Sequence, residues 1–248
     1  MAEPQKFENF INGQWKEPQG GNYYPDINPA DYSDIVGYFP LSTKNDVDEA
    51  IQSAHIAFKS WSHMLPAERA KYLEKFAQLL DQEKERIGEA LCREEGKTIK
   101  EAIGEPSRGA VETSFFIGEG QRLEGITMPS DRKGVVSVAT RVPIGVVAAI
   151  SPWNFPFLTP VRKVIPALVF GNTVVFKPAS DTPYCAVLLM ELFEKAGLPP
   201  GVVNLVIGKG SEIGDVISSN PLVNGITFTG STVVGRRINQ LASEHFAK

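Results

Sequence analysis

The chain has 248 residues and a formal net charge of −4, from 25 lysines and arginines against 29 aspartates and glutamates. This length fits one large domain or two modest ones, and it is sufficient to bury a core without disulfides or a structural metal. The acidic balance disfavours non-specific nucleic-acid binding, which requires a strongly basic face. Two cysteines, and three histidines without ligand spacing, predict neither a disulfide scaffold nor a metal centre.

The sequence shows no targeting or membrane segment. Residues Met1 to Lys6 include no apolar signal-peptide core. The longest apolar stretch, Val142 to Ile150, is interrupted by Pro143 and Gly145. It is far shorter than the roughly 20 residues of a membrane helix. We therefore expect a cytoplasmic protein that binds no membrane.

The first 122 residues predict a hairpin, a loop-rich stretch and three helices. Asn12-Gly13 between two short apolar runs indicates a β-hairpin, because both residues tolerate positive φ. Residues up to about Pro40 are rich in proline, glycine and aspartate and predict loops with short strands. The helices are expected at about 43–61, from about Pro66 to Gly96, and from Thr98 to about Gln121. Their apolar stripes, and Cys92 on the second helix, predict core packing.

Residues 123–143 differ from their surroundings. A turn-rich polar segment precedes residues 135–140, where apolar and polar side chains alternate as in a half-buried strand. Two interpretations remain open. The segment is an ordinary edge hairpin, or it is an arm that pairs with another subunit through an unpaired strand edge.

A regular alternation of strands and helices begins at residue 144. Strands are predicted at 144–150, 173–177, 202–207 and 225–229, and helices follow them at about 158–170, 182–196, 211–218 and 231–242. Four such units predict an α/β fold with a doubly wound, Rossmann-like parallel sheet and right-handed crossovers. We thus divide the chain into an N-terminal helical part (1–122), the segment 123–143 and a Rossmann-like core (144–248). Cys185, inside the second of these helices, is expected to be buried.

Ligands of open α/β sheets bind outside the carboxyl ends of the strands. Two glycine loops stand at such ends. Gly208-x-Gly210-x-x-x-Gly214 is one residue longer than the usual dinucleotide fingerprint. Gly230-x-x-x-x-Gly235 has the spacing of an NTPase phosphate loop, but Arg236-Arg237 replaces the required Lys-Ser/Thr, which disfavours an NTPase. Ser231, at the start of a helix, offers free N–H groups that suit a phosphate.

Three polar residues lie at or just after strand ends, and two of them, Lys177 and Asn154, have two possible interpretations. Lys177 either covers the sheet edge or donates hydrogen bonds to ribose hydroxyls or a phosphate. The small neutral Ser180 leaves room for a 2′-phosphate, where dinucleotide folds usually carry an acidic residue. Asn154, between two prolines, is either a turn residue or a fixed amide donor that stabilises an oxyanion.

Taken together, the motifs resemble those of the NAD(P)-dependent aldehyde dehydrogenase superfamily. The resemblance covers essentially the whole chain and rests on residues 151–156 (SPWNFP), 171–180 (GNTVVFKPAS), 196–204 (AGLPPGVVN) and 228–235 (FTGSTVVG), which occur in this order. Residues 10–13 (FING), 28–30 (NPA) and 95–98 (EGKT) agree with it.

The resemblance implies roles for individual residues. It implies that Asn154 polarises the substrate carbonyl, that Lys163 serves a proton relay and that Lys177 binds the adenosine ribose of NAD or NADP. It implies an oligomerisation arm at 123–143, and hence a homo-oligomer. The residues that it places along the cofactor groove are Ile150, Ser151, Pro152, Trp153, Ala179, Ser180, Gly210, Gly214, Phe228, Gly230, Ser231 and Val234.

The resemblance also identifies a departure. Members of the family are roughly twice as long, and their nucleophilic cysteine and general-base glutamate lie beyond the position that matches Lys248. Covalent aldehyde oxidation needs a thiolate that attacks the carbonyl. We therefore expect this chain to be the cofactor-binding half of such an enzyme, truncated and inactive alone. The alternative is a complete but inactive remnant that binds nucleotide or pairs with full-length subunits.

Arg162 bears on the substrate. It matches an arginine that binds the substrate carboxylate in the succinate-semialdehyde branch of the family, and a guanidinium suits a carboxylate through paired N–H donors. The alternative is a surface arginine on a helix. The sequence thus favours an ω-oxo acid such as a semialdehyde as substrate. Ser180, where many NAD-specific members carry glutamate, favours acceptance of NADP.

Overall fold

The computed structural model describes residues 4–248. The part of the signal-peptide prediction that concerns residues 1–3 lies outside the described residues. The chain begins with the expected hairpin of β1 (Asn9–Ile11) and β2 (Gln14–Lys16). Its turn is Asn12-Gly13, with φ of 55° and 73°. The loop-rich stretch after it contains β3 (Tyr23–Ile27) and β4 (Ile35–Pro40), which pair with each other as a separate antiparallel sheet.

Four helices follow: α1 (Lys44–Trp61), α2 (Pro66–Gln82), α3 (Lys84–Glu95) and α4 (Ile99–Gln121). The Thr43 N–H donates to Asp46 Oδ2 at 2.7 Å, as the capping-box spacing predicts. The single helix expected from Pro66 to Gly96 was wrong, because the chain divides into α2 and α3 at Glu83 (φ −105°, ψ 12°). The break lets α3 turn and pack against α4, which places Cys92 on α3.

Residues 123–143 contain β5 (Ile126–Pro129) and β6 (Val136–Ala139). These strands pair only with each other and form a third, two-stranded sheet. The segment is therefore a hairpin, and its pairing with another subunit stays a prediction. Ile126, Val136 and Val138 are more than 60% exposed. The hairpin therefore presents apolar side chains to solvent on strands that the rest of the described chain does not cover.

The main sheet has six strands in the order β10-β7-β8-β9-β1-β2. Its parallel part consists of β7 (Val146–Ile150), β8 (Thr173–Lys177), β9 (Val203–Leu205) and β10 (Val223–Phe228). The helices that follow these strands are α5 (Leu158–Val169), α6 (Pro183–Ala196), α7 (Gly210–Ser219) and α8 (Thr232–Ser243). The prediction of a doubly wound α/β fold is therefore confirmed, with a hairpin added at one edge.

The core lies on both faces of this sheet. On β7, Val147 and Ala149 pack on the side of α2, α5 and α6, whereas Val146 and Ala148 pack on the side of α1 and α7. This alternation follows from the two-residue period of a strand. Because both faces are covered, every residue of β7 and β8 is buried, and the only polar strand positions that can face a ligand lie at the strand ends.

Candidate active site

The carboxyl ends of three parallel strands meet in register. Ile150 at the end of β7 is the register partner of Lys177 on β8 and of Phe228 on β10. The loops that carry Asn154, Ser180 and Ser231 leave the sheet from these ends. The register thus brings together three loops that are far apart in sequence.

The strand order also identifies where a ligand crevice forms. From β7 the chain proceeds to β8 and β9 on one side, and then crosses back to β10 on the other side of β7. The helix after β7 packs on one face of the sheet, and α8 after β10 packs against α7 on the other. Such a switch in winding opens a crevice between the two outgoing loops, which is the usual binding position in doubly wound sheets.

Lys177 is buried in this edge. Its side chain is 5% exposed, and Nζ donates to the carbonyl of Pro178 at 2.8 Å. Burial lowers the pKa of Lys177 to about 8, which the negative charge of Asp181 partly opposes. A Cβ placed on Gly210 would lie 4.0 Å from this Nζ, so the ammonium lies beside the first residue of α7. The position combines a titratable donor with a nearby helix N-terminus.

The loop after β8 is fixed by two hydrogen bonds. The Ser180 hydroxyl donates to the carbonyl of Gly208 at 3.2 Å, and the Tyr24 hydroxyl donates to the carbonyl of Ser180 at 2.9 Å. Ala179 and Ser180 are both half-buried. A neutral hydroxyl therefore stands next to Lys177, at the position where a carboxylate would repel a phosphate.

The sheet edge has a polar group that the described residues leave unsatisfied. The hydroxyl of Ser151 is buried and makes no hydrogen bond within residues 4–248. A buried hydroxyl without a partner costs free energy, so it suits a ligand that completes it. Trp153, two residues later, is 56% exposed and offers an apolar face next to it. These features fit a dinucleotide.

The four helix N-termini that follow the parallel strands are occupied differently. Two buried glutamates of the N-terminal helices accept the first N–H groups of the first two. Glu105 accepts those of α5, and Glu94 accepts those of α6. The ends of α7 and α8 receive no such carboxylate in the described part of the chain. Gly210, Gly230 and Val234 are exposed there, Gly214 is half-buried, and Ser231 caps α8 by accepting from Val234 N at 3.4 Å. Two N-termini thus remain available for an anion.

Lys163 and Thr227 join α5 to β10. Lys163 Nζ donates to Thr227 Oγ1 at 3.1 Å, next to the register partners Phe228 and Ile150. The side chain is buried, and this burial lowers the pKa of Lys163. A lowered pKa brings the amine closer to proton exchange at neutral pH.

Asn154 and Arg162 line one cavity of about 520 Å³. Asn154 is exposed at its wall, and its side-chain amide makes no hydrogen bond within residues 4–248. The remaining lining residues are Glu95, Lys97, Glu101, Gly104, Glu105, Arg108, Phe155 and Leu158. The structure therefore places Asn154 and Arg162, the two residues predicted to contact the substrate, on the wall of the same cavity.

Arg162 is paired with Glu112, which does not itself line the cavity. Its Nε and Nη2 donate to the two oxygens of Glu112 at 2.7 and 2.6 Å, and Arg108 Nε donates to the same carboxylate at 2.9 Å. The two arginines lower the pKa of Glu112 to about 2. Two cations share one anion, so the group retains one positive charge at the cavity wall.

Neither cysteine belongs to this site. Cys185 lies fully buried inside α6, where burial and the nearby Glu94 carboxylate raise the pKa of its thiol. Cys92 is half-buried on α3. Residues 4–248 contain no cluster of three metal-ligating side chains and no helix with the length and apolarity needed to span a membrane.

Residue-by-residue reasoning missed Glu94, Glu105 and Lys97. Glu105 and Lys97 line the cavity, and Glu94 accepts the first N–H groups of α6. The contacts join residues far apart in sequence: Glu105 and Leu158 are 53 residues apart, and Lys97 and Asn154 are 57 apart. The sequence signal for Lys97 is its place in residues 95–98, one of the motifs that resemble the family. Buried glutamates within amphipathic helices give no local signal that distinguishes them from solvent-facing ones.

Comparison with known proteins decides the family. A family model described as "Aldehyde dehydrogenase family" matches residues 15–248. The chain belongs to the aldehyde dehydrogenase family.

Its relatives include several semialdehyde dehydrogenases. It is 46% identical over 248 residues to the alpha-ketoglutaric semialdehyde dehydrogenase of Bacillus subtilis. This match covers 100% of this chain and 51% of that protein. It is 41% identical over 239 residues to the D-glyceraldehyde dehydrogenase (NADP(+)) of Picrophilus torridus, covering 96% of this chain and 48% of that protein. The chain thus spans about half the length of the curated relatives it matches.

Solved enzyme structures share the fold. An NADP-dependent enzyme of E. coli superposes with a TM-score of 0.96 at 36% identity, covering 98% of this chain and 50% of that chain. A betaine aldehyde dehydrogenase variant of Staphylococcus aureus in complex with NAD+ gives a TM-score of 0.94 at 31% identity, covering 97% of this chain and 49% of that chain.

Proposed function

We propose that this chain is the cofactor-binding half of an NAD(P)+-dependent aldehyde dehydrogenase that oxidises an aldehyde to a carboxylic acid. The observation that carries the proposal is the register of Ile150, Lys177 and Phe228, which gathers the loops of Asn154, Ser180 and Ser231 at one crevice. The names of the relatives support the reaction class, since they include NADP(+)-dependent and semialdehyde dehydrogenases.

The cofactor, when bound, accepts a hydride from the substrate carbon. In this proposal Lys177 donates to the adenosine ribose hydroxyls, and the free N–H groups at the starts of α7 and α8 bind the phosphates. Ser151 supplies the hydroxyl that the described residues leave without a partner. Trp153 adds an exposed apolar surface at the same edge.

Two side chains act on the substrate. The Asn154 amide donates to the aldehyde oxygen and stabilises the negative charge that develops there. Lys163, with its lowered pKa, exchanges a proton near the end of β10. Both roles are residue-by-residue transfers from the family and stay predictions for this chain.

The 248 residues lack a suitable nucleophile in this proposal. An attacking cysteine needs a low pKa and access to the substrate. Cys185 has neither, and Cys92 lies outside the cavity. We therefore expect the chain alone to bind cofactor without oxidising aldehyde.

The lack of a suitable nucleophilic cysteine within residues 4–248 favours a second candidate function. A chain without a nucleophile can act as an inactive nucleotide-binding protein or as a partner of full-length subunits. The two candidates differ in one readout, which is aldehyde-dependent reduction of NAD(P)+ by the protein purified from its native source. Reduction supports the enzyme, and cofactor binding without reduction supports the inactive protein.

The proposed substrate is an ω-oxo acid such as 2-oxoglutarate or succinate semialdehyde. The cluster of Arg108, Glu112 and Arg162 has a net charge of +1 at the wall of the cavity that also holds Asn154. Glu95, Glu101 and Glu105 line other parts of the same cavity, so the proposed carboxylate site is confined to the two arginines. A carboxylate at one end of the substrate suits this charge while the aldehyde reaches the Asn154 amide. Relatives named for semialdehyde substrates support the same class.

Replacing Arg162 tests the substrate class. In the enzyme at its natural full length, Arg162→Ala is expected to raise KM for a semialdehyde acid about 10- to 100-fold, because a charge-assisted hydrogen bond contributes about 1.5–3 kcal/mol. KM for a neutral aldehyde of similar length should change less than about threefold, since no carboxylate is lost. Steady-state kinetics with both substrates measure the difference.

Arg93→Ala is the matched control for this experiment. Arg93 forms a similar fork with Asp34 (2.8 and 2.6 Å) but lies outside the cavity, so neither KM should change. An Arg162→Ala effect of equal size on both aldehydes would contradict the proposed carboxylate site.

We also propose that residues 123–143 join copies of the chain into a homo-oligomer. The support is the hairpin of β5 and β6, which stands apart from the main sheet and exposes apolar side chains on strands with free edges. Such an edge is suited to pairing with another chain.

A further inference from the structure

Glu105 closes the start of the helix that follows Asn154. Its side chain is 3% exposed, and Oε2 accepts the N–H groups of Phe157 at 3.2 Å and Leu158 at 2.8 Å. These are the first donors of α5, which has no side-chain cap of its own. A carboxylate at this point satisfies the donors and interacts favourably with the positive end of the helix.

Lys97 holds the other end of the same turn. Its ammonium contacts the second oxygen of Glu105, lies 2.8 Å from Glu95 Oε2 and donates to the carbonyl of Asn154 at 3.1 Å. It also lies 4.6 Å above the centre of the Phe155 ring. The side chain is 11% exposed, so solvent screens these contacts only weakly.

The contacts leave the Asn154 backbone fixed from both directions. Pro152 and Pro156 restrict the turn, Glu105 anchors its end at Phe157, and Lys97 binds the carbonyl of Asn154 itself. The Asn154 side-chain amide makes no hydrogen bond within residues 4–248. Its position in the cavity therefore depends on its backbone, and hence on the Lys97–Glu105 ion pair.

We propose that Lys97 and Glu105 are positioning residues that hold the Asn154 amide in the geometry required to bind the developing oxyanion. This inference rests on the proposed function, because the value of the geometry lies in the role assigned to Asn154. The ion pair touches neither strand end nor the starts of α7 and α8, so it acts on the aldehyde side of the crevice and not on the cofactor.

The test uses the enzyme at its natural full length and the variants Lys97→Met and Glu105→Gln. We expect kcat to fall about 10- to 100-fold, because displacement of a catalytic group by about 1 Å costs on that order. The aldehyde KM and the Kd of the cofactor should stay within about threefold. Lys97→Arg keeps a cation at the site and should recover at least a third of the wild-type kcat.

Crystal structures of the variants supply a readout that does not depend on activity. In Lys97→Met the Asn154 amide nitrogen is expected to move by about 1 Å or more, while the main sheet keeps its position. Lys195→Met removes an ion pair with Glu83 on the exposed surface and serves as the control. It should move neither kcat nor Asn154.

Two kinds of failure are distinguishable. If the wild-type enzyme oxidises no aldehyde, the proposed function fails. The crystal structures then test the positioning role separately, and an undisplaced Asn154 in the variants overturns it. If wild type is active, then Lys97→Met with unchanged kcat overturns the positioning role alone. The positioning role is also overturned if kcat falls only because less of the variant is folded and Asn154 keeps its position in the crystal. The Lys97–Glu105 ion pair would then only stabilise the fold.

Discussion

Glu94 and Glu105 perform the same task on neighbouring helices. Each is a buried carboxylate from the N-terminal helices that accepts the first N–H groups of a helix in the parallel α/β unit. A carboxylate in this position neutralises the positive end of the helix. The protein therefore closes α5 and α6 with its own side chains, whereas α7 and α8 receive no such carboxylate within residues 4–248.

The carboxyl of Asp26 adds a second acid beside Glu94. Burial raises the pKa of Asp26 to about 6 and raises the pKa of Glu94 as well, and the negative charge of Asp26 raises the pKa of Glu94 further. The other groups that act on Asp26 and Glu94 are Asp181, Arg93 and the backbone N–H groups of Ile27, Tyr184 and Cys185. This arrangement predicts a dependence of stability on pH.

The sign follows from linkage. The folded-state pKa of Asp26 lies above its ordinary value of 3.8, so its contribution is fully present below that value and is lost as pH rises through about 6. We expect Asp26→Asn, which keeps the shape and needs no proton, to be more stable than wild type at pH 8 by about 1–2 kcal/mol. The difference should vanish near pH 4.

Urea unfolding at both pH values measures this difference in the free energy of unfolding. Asp131→Asn, in the exposed hairpin, is the control and should behave as wild type at each pH. Equal stability of Asp26→Asn and wild type at pH 8 would show that Asp26 is ionised without cost.

At the scale of elements, periodicity predicted most of the fold. Capping signals and apolar stripes located α1 and α4, and continuous apolar runs located the four parallel strands. The break between α2 and α3 could not be predicted, because Glu83 carries no glycine or proline signal and the turn follows from packing on α4. The strand-end motifs placed Lys177 at the end of a strand and Asn154 and Ser231 in the loops after strands, as in the structure. The ion pair of Lys97 and Glu105 at the Asn154 turn could not be predicted, because it depends on contacts between residues far apart in sequence.

The helices α3 and α4 approach closely at Gly88. A Cβ on Gly88 would lie 3.0 Å from both the Cα and the N of Ile103, whereas a Cβ on Gly104 would meet nothing within 4 Å. We expect Gly88→Ala to destabilise the protein by about 1–3 kcal/mol, because the backbones must separate. Gly104→Ala should stabilise it by about 0.5–1 kcal/mol through helix propensity.

Both substitutions add the same methyl group to a helix, so each controls for the other. Thermal and urea unfolding of the two variants provide the comparison. A Gly88→Ala variant as stable as Gly104→Ala would mean that the α3–α4 contact is loose.

At the scale of the molecule, the sheet order explains why one edge collects the site. The crossover from β9 to β10 reverses the direction of winding at β7, and the crevice forms where the loops after β7 and β10 diverge. The order of strands could not be read from the sequence, although the alternation of strands and helices predicted a doubly wound sheet. The division into residues 1–122, 123–143 and 144–248 stays a prediction.

The central claim is that this edge binds a nicotinamide dinucleotide beside Lys177 and Ser180. Isothermal titration of the folded protein with NADP and with NAD tests it most directly. We expect saturable binding of one NADP per chain, and Ser180→Glu should weaken NADP at least about tenfold while Ser180→Gln does not, because only the carboxylate repels a 2′-phosphate. Binding of NAD alone would contradict the assignment of Ser180, and a folded protein that binds neither dinucleotide would contradict the account as a whole.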